Sequence, residues 1–171
     1  MLYSILANEK VDSRAAEEIL AKYNASDKQG VISVVTKGAI ASGKIKEDDD
    51  QKIAEIIREN LQRLHLDIPG TAYFDPELDH LSAYYNNDSA KRVYFVALDE
   101  DGQVSGGVGI AEFDGLEDCA ELQKLYLSDS VKGKGYGKEL LHLAEEWVKS
   151  AGYRKLYLET HTNLSVALKL Y

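Results

Sequence analysis

The stretch Leu125-Tyr-Leu-Ser-Asp-Ser-Val-Lys-Gly-Lys-Gly-Tyr-Gly-Lys138 decides how this chain is read. It begins as the end of an apolar strand, turns through Gly133, Gly135 and Gly137, and continues into a helical pattern. Glycine lets a backbone approach a ligand closely, and a helix start offers unpaired N–H groups with a partial positive charge. Lys132, Lys134 and Lys138 add mobile positive charge to the same turn. The physical reading is a pyrophosphate cradle; the bland alternative is a tight turn and nothing more. A P-loop would need a hydroxyl after its lysine, but Lys138 is followed by Glu139. The dinucleotide fingerprint fails too, because the sixth place counted from Gly133 is Lys138.

Working outward, Ala120–Leu127 is a strand candidate, and Lys138–Ala151 is a helix with Leu140, Leu141, Ala144, Trp147 and Val148 on its apolar face. Gly152 ends that helix and Lys155–Glu159 reads as the next strand. Upstream, Arg92–Leu98 and Val104–Phe113 flank the turn Asp99-Glu-Asp-Gly102, as in a hairpin. Asp49–Leu66 is amphipathic, with Ile53, Ile56, Ile57, Leu61 and Leu64 on one face and acids in its first turn. A further helix is expected over Pro76–Tyr85. Before the composition break near Gly43–Asp50, a short helix is expected over Ser13–Tyr23 and a strand over Val31–Thr36; Gly38–Gly43 reads as small and flexible. A last helix is expected from Asn163 to Tyr171.

The 171 residues are 44% apolar and 29% charged, enough for one folded domain with an appendage. No apolar run approaches the ~18 residues that span a membrane. Glu9, Lys10 and Asp12 interrupt the first apolar run, so no export signal is legible, and a single cysteine, Cys119, suits a reducing cytoplasm. The charge is 20 basic against 29 acidic groups, and all of the excess lies after residue 44. Such a surface disfavours nucleic acid and accommodates a cationic substrate. His65, His80, His142 and His161 share no metal-ligand spacing, so no metal is expected.

Ala120-Glu-Leu-Gln-Lys-Leu-Tyr-Leu127 followed by Lys132-Gly-Lys-Gly-Tyr-Gly-Lys138 resembles motif A of the GNAT superfamily of acetyl-CoA-dependent N-acetyltransferases. The family pattern is Gln/Arg-x-x-Gly-x-Gly/Ala, with Lys132 here in the first place and Gly135 and Gly137 in the others. Leu158-Glu-Thr-His-Thr-Asn163, with Ala167 and Leu170-Tyr171, is similar to the family's second motif. The resemblance runs from about residue 44 to Tyr171, leaving 1–43 as an N-terminal extension. It implies an α+β fold with a mixed, mostly antiparallel sheet flanked by helices. Acetyl-CoA would lie between the splayed strands Ala120–Leu127 and Lys155–Glu159. By resemblance, Leu125 and Leu127, with Tyr126 between them, would meet the pantetheine arm and thioester through their backbone. The amides of Lys132, Gly133, Lys134, Gly135, Tyr136, Gly137 and Lys138 would hold the pyrophosphate, and Asn163 would touch the pantetheine region. Lysine at 132 offers a point charge in place of arginine's planar fork.

Acetyl transfer to an amine needs a group to take the ammonium proton, donors for the oxyanion, and an acid for the departing thiolate. Glu121 resembles the family's general base, although a surface carboxylate is an equal reading; Glu112 and Glu159 are weaker candidates. Tyr171 matches the family tyrosine that protonates the coenzyme sulfur. Tyr73, Phe74, Tyr84 and Tyr85 form an aromatic cluster that either lines the acceptor site or packs helices. The expected activity is acetylation of a small-molecule or protein amine in a ternary complex. A binding module that holds coenzyme A without turnover is the second reading, and an unrelated phosphate-binding enzyme the third.

The family chain continues past the position of Tyr171 with two more strands. Without them, the edge beside Lys155–Glu159 would be bare. Three explanations compete: the Val31–Thr36 strand covers this edge, a partner chain covers it, as in a homodimer, or the sequence is a truncated form. The expectation is coverage by the partner chain or the N-terminal segment.

Overall fold

A computed structural model describes residues 31–35 and 40–159, with side chains from residue 43 onward. The expected helices over Ser13–Tyr23 and from Asn163 lie outside the described residues, as do Asn163, His161 and Tyr171.

Six strands form one sheet in chain order: β1 (Val31–Val35), β2 (Ile40–Lys44), β3 (Val93–Leu98), β4 (Val104–Glu112), β5 (Cys119–Leu127) and β6 (Lys155–Leu158). Every neighbouring pair is antiparallel except β5 and β6, which run parallel. The class is therefore α+β with a mixed, mostly antiparallel sheet, as expected. Two expectations need correcting. Ile40–Lys44 is a strand and not a flexible stretch: Ala41 to Lys44 pair with Leu98 to Phe95, and the ladder orders their backbone despite small side chains. The boundary placed after residue 43 thus falls inside β2. Nor does the Val31–Val35 strand cover β6, because it pairs with β2 at the opposite end of the sheet. Among the described residues, β6 has a neighbour on one side only.

The strands bury both faces. Val93 to Leu98 are all inaccessible, which accounts for a continuous apolar run in place of alternation. Tyr94, Val96 and Leu98 face one cluster, with Ile53, Ile57 and Leu61 of helix α1 (Asp50–Arg63) and Leu81 and Tyr85 of the short helix α2 (Leu81–Asn86). Val93, Phe95 and Ala97 face the other, with Leu140, Leu143, Ala144 and Val148 of helix α3 (Tyr136–Ser150). Among the described residues no helix is long and apolar enough to cross a membrane.

Local chemistry sets the helix ends. The Asp49 carboxylate accepts the Lys46 amide at 2.8 Å. Asp50 accepts both the amide and the hydroxyl of Ser82, at 2.7 and 2.6 Å, which ties the start of α2 to the start of α1. The helix expected over Pro76–Tyr85 breaks into a 3₁₀ turn at Leu78–His80 and then α2, because His80 takes a non-helical backbone (φ −141°, ψ 41°). Helix α3 ends on Gly152 at φ +87°. Its amide bonds to the Lys149 carbonyl and that of Tyr153 to Val148, the left-handed cap that glycine favours.

Candidate active site

The ladder between β5 and β6 stops at Leu122 opposite Leu158. β6 itself ends at Leu158, and Gln123 to Leu127 of β5 extend past that pair, so on this side their backbone has no strand neighbour among the described residues. On its other side β5 carries a bulge: Gly107 pairs with Tyr126 and Gly109 with Gln123, so Lys124 and Leu125 together face Val108. Lys124 takes a left-handed backbone, φ +50°, uncommon for a side-chain-bearing residue. The bulge resets the alternation. Leu125 and Leu127 pack toward α3 and Tyr126 toward α1. The Lys124 ammonium is largely buried, 2.6 Å from Asp75 and 3.6 Å from Glu77.

Beyond β5, a 3₁₀ turn at Asp129–Val131 leads into the glycine turn. Gly133 (φ +76°) and Gly135 (φ +91°) are both left-handed, and Gly135 is the residue before α3. A Cβ built at either would meet nothing within 4 Å, so backbone conformation and not crowding demands glycine there. The amides of Gly137 and Lys138 stand in the first turn of a fifteen-residue helix, where no intrahelical carbonyl reaches them. Lys134, Gly135 and Lys138 are exposed. An open turn of this form, with a helix start and the exposed Lys134 and Lys138 ammonium groups unpaired among the described residues, fits a pyrophosphate.

Two of the nominated residues serve differently from a direct side-chain contact. The Tyr136 side chain is buried in the α3 cluster, and burial pushes its phenol up to about 12, so only its backbone faces the turn. Lys132 donates to Asn60 Oδ1 at 2.7 Å and pairs with Asp129 at 2.7 Å. Arg63 pairs with Asp129 as well. The Lys132 and Arg63 ammonium and guanidinium groups hold the exposed Asp129 carboxyl below its ordinary range.

Sequence reasoning missed Asn60. It is 7% exposed and donates Nδ2 to the Ile56 carbonyl at 2.8 Å and to the Leu127 carbonyl at 2.9 Å while receiving Lys132. It therefore joins α1, the end of β5 and the turn. Its signal was available: a polar residue within the stripe Ile53, Ile56, Ile57, Leu61.

Glu121 lies on the α1 and α2 side of β5, half-buried. Its Oε2 accepts Gln123 Nε2 at 2.6 Å, and Gln123 Oε1 accepts the Tyr85 hydroxyl at 2.8 Å. The weaker candidates are engaged elsewhere. Glu112 pairs with Arg92 at the far end of β4, and Glu159 accepts the Tyr157 hydroxyl at 3.0 Å. The four aromatics separate into two groups: Tyr73 and Phe74 meet edge-on at 5.0 Å, while Tyr84 and Tyr85 do so at 4.9 Å with Tyr85 inside the core. Cys119 is buried. Among the described residues no group of three or more His, Cys, Asp or Glu side chains could hold a metal ion. An open concavity of 670 Å³, lined by Glu112, Asp118 and Tyr153 among others, lies at the start of β5, away from the glycine turn, and of the nominated residues contains only the weaker base candidate Glu112.

A mixed, mostly antiparallel sheet with helices on both faces, whose bulged strand runs through a glycine turn into a helix start, defines the class as an α+β fold. The chain belongs to the acetyltransferase (GNAT) family, whose model matches residues 58–171. It is 37% identical over 125 residues to the uncharacterized N-acetyltransferase YjgM of Escherichia coli (strain K12), covering 72% of this chain and 73% of that protein. Among solved structures it is similar to a GNAT-family acetyltransferase from Staphylococcus aureus Mu50. That match has a TM-score of 0.66 at 20% identity, over 78% of this chain and 81% of that one. It is also similar to the PaiA N-acetyltransferase from Thermoplasma acidophilum in complex with coenzyme A, with a TM-score of 0.59 at 22% identity, over 77% and 86% of the two chains.

Proposed function

We propose that this enzyme transfers the acetyl group of acetyl-CoA to a primary amine by direct attack in a ternary complex. The observation that carries this reading is the turn at 132–138, where two left-handed glycines and a helix start leave open, positively charged space. A structural relative in complex with coenzyme A supports the same choice of ligand. The Lys132 and Lys134 amides, expected to join the cradle, instead donate to the Asp129 and Val131 carbonyls at 3.4 and 3.3 Å. In this reading the amides of Gly133, Gly135, Gly137 and Lys138 therefore hold the pyrophosphate, and the Lys134 and Lys138 ammonium groups add charge from solvent. The β5 backbone beyond Leu122 meets the pantetheine arm. The Leu127 carbonyl is already occupied by Asn60, so its amide and the Leu125 groups are the ones left to serve. Glu121 takes a proton from the acceptor ammonium, and the freed nitrogen attacks the thioester carbonyl. As the C–S bond breaks, Tyr171 gives its proton to the sulfur; Asn163 contacts the pantetheine region. Overall an ammonium and acetyl-CoA yield an amide, a thiol and one proton. The chain's acidity suits a cationic acceptor.

Thiol release on mixing acetyl-CoA with a panel of polyamines, aminoglycosides, amino acids and peptide N-termini tests the reading. Calorimetric titration with CoA runs alongside it. Gly135→Val should lose CoA binding, because a β-branched residue at φ +91° is strained by about 1–2 kcal/mol and must rotate the turn's amides. Unchanged affinity in that variant would sink the cradle. CoA binding with no thiol release from any amine would instead indicate a binding module.

A further inference from the structure

The middle of β4 reads Ser105-Gly-Gly-Val-Gly109, an unusual density of glycine for a central strand. Two of these glycines face tyrosine rings. A Cβ on Gly107 would overlap the Tyr94 ring, and one on Gly109 would overlap the hydroxyl end of Tyr85. Gly109 is the register partner of Gln123 on β5. Tyr85, wholly buried, therefore crosses the β4 backbone at Gly109 and donates its hydroxyl to Gln123 Oε1 on the next strand.

That bond has a consequence two residues away. The Tyr85 hydroxyl donates to the oxygen end of the Gln123 amide, and the Glu121 carboxylate, an acceptor only, takes the other end. The NH₂ end must then point along the strand, and it donates to Glu121 Oε2 at 2.6 Å. Residues 121 and 123 share a face because β5 is regular up to the bulge at Lys124. One carboxylate oxygen is thus held, while Oε1 makes no hydrogen bond among the described residues. A buried phenol needs only one acceptor for its own satisfaction. The amide's second bond, onto the half-buried carboxylate, goes beyond that need.

We propose that Gln123, oriented by Tyr85 through the opening at Gly109, is a positioning residue that aims Glu121 at the acceptor ammonium. The inference rests on Glu121 being the general base.

Steady-state kinetics with an amine that the wild-type enzyme acetylates, CoA titrations and side-chain amide spectra by ¹H–¹⁵N NMR test it on the full chain. Glu121→Gln should lower kcat by roughly 100-fold or more, as loss of a general base does. Gln123→Leu should lower kcat by about tenfold, and Tyr85→Phe, which keeps the ring, by about threefold. In both, CoA affinity and KM for acetyl-CoA should stay within about twofold, because these residues act through Glu121 alone. The Glu121→Gln/Gln123→Leu double variant should be no slower than Glu121→Gln, since nothing is left to aim. The Gln123 amide resonances should move in both Tyr85→Phe and Glu121→Gln. Wild-type kcat in Gln123→Leu and Tyr85→Phe beside a slow Glu121→Gln would overturn the positioning role and spare the base. Wild-type kcat in Glu121→Gln would remove the base and the inference with it. Unmoved Gln123 amide resonances would overturn the hydrogen-bonded chain whether or not any amine in the panel is a substrate.

Discussion

Replacing Asn60 by alanine removes three hydrogen bonds, and they are not equivalent. The Ile56 carbonyl keeps its helical partner, so the 2.8 Å bond to it matters little. Lys132 keeps Asp129 at 2.7 Å and is exposed, so that loss is worth well under ~1 kcal/mol. The Leu127 carbonyl, half-buried at the end of β5, loses its side-chain donor; an unpaired buried acceptor costs about 1–3 kcal/mol, and partial exposure puts this one near the lower bound. Alanine returns roughly 0.5 kcal/mol of helix propensity. The net loss is about 1–2 kcal/mol. At roughly 2–4 °C per kcal/mol for a chain of this size, the melting temperature should fall by about 2–8 °C. The same substitution unties the glycine turn from α1, so ordering that the native protein has already completed falls due on binding, and CoA affinity should drop by about fivefold. Asn60→Asp sharpens the test. It keeps an acceptor for Lys132 but sets a second oxygen against the Leu127 carbonyl, so it should be less stable than Asn60→Ala. Differential scanning calorimetry and CoA titration read both effects. An alanine variant that melts within 1 °C of wild type and binds CoA equally well would refute the tether.

Gly109→Ala should cost about 3 kcal/mol in urea unfolding, because the added methyl drives into the clamped Tyr85 hydroxyl; a loss under ~1 kcal/mol would mean the ring moves freely. Glu112 gives a pH signature. Burial pushes its carboxyl up, but the Arg92 hydrogen bonds and charge outweigh this and leave it below its usual range. A carboxylate depressed in the folded state stabilises above its unfolded value, near ~4.3, and loses that contribution as pH falls through the folded value. Wild type should therefore exceed Glu112→Gln in stability at pH 7 and converge with it below about pH 4. A difference that is constant from pH 7 to pH 3 would contradict the pairing.

Much of the molecule was legible because its signals are local. The apolar face of α1, the hairpin of β3 and β4 around Asp99–Gly102, and the Gly152 stop all depend on residues within a few positions of each other. The edges of these elements shifted by one to three residues. The break at His80 was not legible, since Pro76 suits a helix start and nothing nearby marks a non-helical backbone. Strand β2 was missed because Ile40-Ala-Ser-Gly-Lys44 has weak strand character, and its backbone is ordered by pairing with β3 more than fifty residues away. Small residues in β4 carried no reading at all, because a glycine's reason for being in a strand is the side chain that crosses it.

The sequence by itself determined the strand–glycine turn–helix unit, the apolar faces of the two long helices and the family, because periodicity, clustered glycines and motif order are written in consecutive residues. The tertiary structure alone decided what those residues do beside the turn. Lys132 became a strut because Asn60, 72 positions earlier, receives it, and Glu121 acquired an aim because Tyr85, 38 positions before Gln123, reaches across Gly109. Those partnerships arise from strand register, one bulge and the packing of α1 and α2 on the sheet, none of which has a period that a linear reading can detect.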